Sequence, residues 1–120
     1  MVEYPIQIHE KSQSSLSEER IEAIEYINNL HDFDGIKDVW EDLHRLTQDE
    51  DEEVRRNAAD ALGLAFAFVP DKDKAWEDLR RLTQDKDEHV RWRAVYALEL
   101  AFAFVPDKDR AREDLQRLPR

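Results

Sequence analysis

Moved along by 36 positions, residues 40–75 fall on residues 76–111 without a gap, and 27 of the 36 positions are identical. One stretch, LAFAFVPDKD, occurs at 64–73 and again unchanged at 100–109. A unit this short cannot bury its own apolar face, so a fixed period of this length implies that neighbouring copies stack and share one core. A further partial copy begins at Arg112 with REDLQRL, and a degraded relative lies upstream in LSEERIEAIEYINNLHDFDGIKDV.

Each unit reads as two helices. Trp76, Leu79 and Leu82 recur at helical spacing with charges between them, which predicts a first helix with one apolar face. Val90, Ala94, Ala97, Leu98, Ala101 and Val105 predict a second helix, ended by Pro106 because a proline disfavours helix in the residue before it. Asp85 with Glu88, Asp49 with Glu52, and Ser15 with Glu18 have the spacing of capping boxes. Ser15 would introduce a helix over about 16–31, with Gly35 in the turn after it. Residues 1–15 show no period and are expected to be a tail. The rest divides into a cap helix at 16–35, repeats at 36–70 and 71–106, and a terminal helix at 107–120. The predicted fold is all-α, an α-α superhelix of antiparallel helix hairpins.

Composition narrows the function. Acidic residues number 29 against 18 basic ones, a net charge of −11, which disfavours binding to nucleic acid or to an anionic membrane surface. There is no cysteine and there are only two glycines, so thiolate sites, disulfides and glycine-rich phosphate loops are excluded. The histidines at 9, 31, 44 and 89 share no metal-ligand spacing. The acid runs DEDEE and DKDK lack the glycine and terminal glutamate of a calcium loop. No cofactor is implied, and with no signal peptide in MVEYPIQIHE the expected location is cytoplasmic.

The segments LTQDEDEEVRRNAADALG (46–63) and LTQDKDEHVRWRAVYALE (82–99) resemble HEAT repeats, and within them the short variety of the PBS-lyase-like proteins. The matching positions are Asp49, Val54, Arg55, Ala58, Ala59 and Leu62, then Asp85, Val90, Arg91, Ala94 and Leu98. The resemblance implies that Asp49, Arg55, Asp85 and Arg91 form a ladder joining neighbouring units. It also implies that the second helices line a concave surface that holds partners.

Where the two copies differ is informative. Six of nine differences fall in the second helix, and four of these (Glu53/His89, Arg56/Trp92, Asn57/Arg93, Asp60/Tyr96) have the spacing of one helical stripe. Trp, Tyr and Arg are the residue types enriched at interface hot spots. The net charge is −6 over residues 1–39, −5 over 40–75, −1 over 76–111 and +1 over 112–120, which favours a basic partner segment toward the N-terminal units. The expectation is a non-catalytic scaffold that binds another protein or peptide through His89, Trp92, Arg93, Tyr96, Arg56, Asn57 and Asp60. Three alternatives stay open: Trp92 and Tyr96 cover the end of the array or pack on the terminal helix, the chain forms a homodimer, or it is a subunit like those of the bilin lyases.

Overall fold

Helices with one apolar face must bury it against each other, and here they do so as successive hairpins. The computed structural model describes residues 4–29 and 37–118. Among these residues the chain is all-helical: α1 (Ile6–Ser12), α2 (Ser17–Asn28), α3 (Lys37–Leu46), α4 (Glu52–Ala65), α5 (Lys72–Leu82), α6 (Glu88–Ala101) and α7 (Lys108–Gln116). Single 3-10 turns, Phe66–Phe68 and Phe102–Phe104, extend α4 and α6. The first helices α1, α3, α5 and α7 make one layer and the second helices α2, α4 and α6 the other. Trp40, Leu43 and Leu46 of α3 and their counterparts Trp76, Leu79 and Leu82 of α5 are buried in one core with Val54, Ala58, Leu62, Val90, Ala94 and Leu98. Val69 and Val105, each before a proline, are extended at ψ 142° and 144°, as the proline ring requires.

The N-terminal segment departs from the sequence reading. The expected tail over 1–15 contains α1, which packs on α2 as a further hairpin. Its polar pattern hides this because its key partners are side chains of the next unit. Tyr4 Oη donates to Asp42 at 2.8 Å and His9 Nδ1 lies 2.8 Å from the same carboxylate. Ser12 Oγ donates to the His9 carbonyl and accepts from Arg45 Nη2. Burial first, and the Asp42 hydrogen bond second, push the Tyr4 phenol well above its ordinary pKa, so it remains a donor. Gly35 and His31 lie outside the described residues.

The helix starts also differ from expectation. Asp51 and Asp87 are the N-caps of α4 and α6, accepting from the Val54 and Val90 amides. Asp49 and Asp85, two residues earlier, accept from the Asp51 and Asp87 amides instead. Ser15 does not cap α2; Ser14 Oγ accepts from the Leu16 amide and donates to Glu19. At α4 and α6 the acid expected at the cap, Asp49 or Asp85, instead serves the contact between units.

That contact is an arginine fork. Arg55 donates through Nε and Nη2 to Asp85 at 2.8 and 3.0 Å, and its Nη1 is held by the Asp49 carbonyl. Arg20 repeats the arrangement toward Asp49 at 2.8 and 3.0 Å, with Nη1 on the Ser14 carbonyl. The pairs therefore run from one unit's arginine to the next unit's aspartate. Arg91 keeps the carbonyl bond to Asp85, and no carboxylate among the described residues meets its fork. A second ladder joins the first helices through the buried Asp42, Asp78 and Asp114. His44 Nδ1 lies 2.6 Å from Asp78, and Trp76 Nε1 donates to Asp114 at 2.8 Å.

The second helices touch more closely. A Cβ added at Gly63 would lie 2.8 Å from Ala97 Cβ and 3.0 Å from its Cα, so glycine is required where α4 meets α6. The Gly63/Glu99 and Ala59/Val95 differences follow from this contact: no described second helix covers α6 on its far side, where Glu99 is exposed and Val95 half-buried. Phe66 is fully buried and meets Trp76 edge-on at 6.3 Å. Its counterpart Phe102 is only half-buried and lies under Lys108 and Arg112 instead.

Two outcomes follow. Gly63→Ala should lower the unfolding free energy by about 1–3 kcal/mol, the usual cost of overpacking, as measured by urea denaturation. Burial pushes the Asp85 carboxyl up, but the Arg55 fork and the Asp87 amide outweigh it and hold the pKa below the ordinary aspartate value. Its stabilisation is therefore complete above the unfolded-state pKa of about 3.9 and is lost as pH falls through the lower folded value. Asp85→Asn should lower stability at neutral pH and flatten the acid limb of a stability-against-pH curve.

Candidate partner-binding face

The forks fix which way each second helix is turned, and with it the residues that face outward. Arg20, Arg55 and Arg91 occupy the same place in α2, α4 and α6, each with Nη1 on the carbonyl six residues before it. From that register, Glu18, Ile21, Glu22 and Glu25 of α2, with Asn29 just past its end, correspond to Glu53, Arg56, Asn57, Asp60 and Leu64 of α4. In α6 the series is His89, Trp92, Arg93, Tyr96 and Leu100. All of these residues are exposed or half-buried.

Its members are not equivalent. Trp92 and Tyr96 are each 63% exposed, too open to be packed under α7. The His89 ring meets Trp92 edge-on at 5.9 Å and 80°, an arrangement that orients the indole without covering it. Arg93 reaches across from α6 to pair with Asp60 of α4. These two expected contact residues are thus engaged with each other, and the Asn57 side chain donates to the Glu53 carbonyl on its own helix. Arg56 is half-buried.

The sequence reading missed the continuation of the apolar stripe. Leu100 and Phe104 are 40% and 50% exposed, and Leu64 on α4 is 63% exposed. Trp92, Tyr96, Leu100 and Phe104 stand four apart, so they run along one side of α6 and its 3-10 extension. A depression of about 120 Å³ between α4 and α6 is lined by Asp60, Leu64, Tyr96, Ala97 and Leu100. The four-residue spacing from Tyr96 was visible in the sequence. Leu64/Leu100 and Phe68/Phe104 are identical in the two copies, so a comparison of differences does not single them out. Toward α2 the same face carries the exposed carboxylates Glu18, Glu22 and Glu25, of which Glu22 binds Lys11 at 2.7 Å.

The profile of the family described as HEAT repeats matches residues 43–118. The chain belongs to the HEAT-repeat family. No curated protein matches it. HEAT repeats are generally protein-interaction scaffolds, and this array's described helices include none long and apolar enough to cross a membrane.

In this HEAT array, exposed and buried positions of α6 should separate cleanly. Trp92→Ala or Tyr96→Ala should move the unfolding free energy by about 0.5 kcal/mol or less, as for surface sites. Leu98→Ala, fully buried on the same helix, should cost about 2–5 kcal/mol. Thermal and urea unfolding monitored by circular dichroism check both.

Proposed function

We propose that this protein is a non-catalytic scaffold that grips another polypeptide on the concave side of the array, with Trp92 and Tyr96 as its anchors. The observation that carries this reading is the apolar run Trp92, Tyr96, Leu100 and Phe104, left open on a helix whose opposite face is fully packed. Contiguous exposed apolar surface on a soluble domain marks an interaction site more often than chance exposure. The close Ala and Gly approach of α4 to α6 supports the concave assignment. First helices are joined instead through longer side chains, His44 to Asp78, Trp76 to Asp114 and Arg80 to Asp114, and a stack with one tighter layer curves toward that layer.

His89 steadies the anchor indole, and Arg56, Asn57, Asp60 and Arg93 form a polar rim beside it. The same apolar run supports a second reading, in which two copies bury it against each other as a homodimer. Light scattering across a concentration series separates the two, because a strict monomer removes the dimer. The combined variant Trp92→Ala, Arg93→Ala, Tyr96→Ala should keep helical content and melting temperature while losing most capture of partner protein from extract of the source cell. Unfolding of that variant would place the three residues in the core and end the proposal.

A further inference from the structure

The outward face of the second helices changes character in one direction only. Across the same register, Glu18, Glu22 and Glu25 on α2 give way to Glu53, Asn57 and Asp60 on α4, then to His89, Arg93 and Tyr96 on α6. The apolar run lies along α6, parallel to its axis, from Trp92 to Phe104, twelve residue steps or about 18 Å at the rise of an α-helix. The depression beside it is bounded by Leu64 of α4 on the other side. Neighbouring packed helices stand about 8–10 Å apart, so the α2 carboxylates lie roughly two helix widths from the Trp92 stripe. An object seated between α4 and α6 therefore meets apolar surface below it and negative charge along one flank.

We infer that the occupant is an amphipathic helix lying in the α4/α6 groove, with apolar residues three or four apart on its buried side and lysines or arginines along the flank turned toward α2. This rests on the scaffold reading and adds the partner's chemistry to it. A helix suits the site because the anchors run along a straight 18 Å line and recur at one-turn intervals, matching the i, i+4 spacing of a partner helix. The basic flank follows from charge. Glu18 and Glu25 are exposed with no ion pair among the described residues, whereas the α6 side offers Arg93 and the His89 ring. A helix with charges at one end would meet the acids only at that end, but the three α2 carboxylates are spread over two turns. Arg93 and Asp60 already neutralise each other across the groove, so a partner crossing them does not need to bring a matching charge there.

The test uses two labelled 18-residue helical peptides sharing one leucine stripe, one with a lysine flank and one with the same flank in glutamate. Binding is followed by anisotropy and by Trp92 emission in a protein carrying Trp40→Phe and Trp76→Phe. The lysine-flanked peptide should bind at least tenfold tighter, weaken steeply with salt, and shift Trp92 emission to the blue. Glu18→Lys with Glu25→Lys should abolish or reverse the preference, and Leu100→Ala should weaken both peptides while leaving their ratio unchanged. Equal binding of the two peptides, with Trp92 still reporting contact, overturns the charged-flank inference and leaves the scaffold reading in place. Binding that ignores Trp92→Ala and Leu100→Ala overturns both. Absence of binding by either peptide overturns the amphipathic-helix inference, and the source-cell capture experiment then decides the scaffold reading separately.

Discussion

The contact on which the structure depends is the arginine fork between units. Arg55 spans from one hairpin to the Asp85 carboxylate of the next while its third nitrogen is fixed on its own unit's turn. Both side chains are about nine-tenths buried, where an uncompensated charge costs several kcal/mol and a bidentate pair offsets that cost only in one geometry. The fork therefore sets register as much as it stabilises. It fixes how far one hairpin is rotated against the next, and that rotation decides which residues of α4 and α6 face outward.

Two layers then separate their duties. First helices are joined by long polar side chains reaching the buried Asp42, Asp78 and Asp114, which leaves room for Trp40 and Trp76 in the shared core. Second helices meet through alanine and glycine, close enough that Gly63 has no space for a methyl group. With every core position so occupied, the outward residues of α6 are released from packing. They can change between copies without disturbing the stack, and the retained Leu64 and Leu100 supply a constant apolar base beneath the changed residues.

Periodicity exposed most of the fold because the two copies in this chain repeat their core almost letter for letter: Leu79, Leu82, Val90, Leu98 and Pro106 announce both helices and their end. The α1 hairpin stayed hidden because Ile6, Gln7 and Glu10 show no apolar face, and its attachment relies on Tyr4, His9 and Ser12 finding partners far along the chain. The aspartates at 42, 78 and 114 recur every 36 residues, a signal present in the sequence but easily read as solvated charge. The candidate face was legible in part. Comparing copies found Trp92 and Tyr96, since substitution on a fixed scaffold marks freedom from the core. It could not find Leu100 or Phe104, which are the same in both copies, or foresee that Arg93 and Asp60 bind each other, a contact made only when α4 and α6 lie side by side.

The central claim is that the framework and the recognition face are energetically independent. It is tested most directly by writing the α4 stripe onto α6, as His89→Glu, Trp92→Arg, Arg93→Asn and Tyr96→Asp together, and measuring urea unfolding. The account predicts an unchanged m-value and a free energy within about 1 kcal/mol of the parent, the scale of surface changes and one exposed ion pair. A loss of several kcal/mol, or a broadened transition, would contradict it by showing that the stripe on α6 holds the stack together.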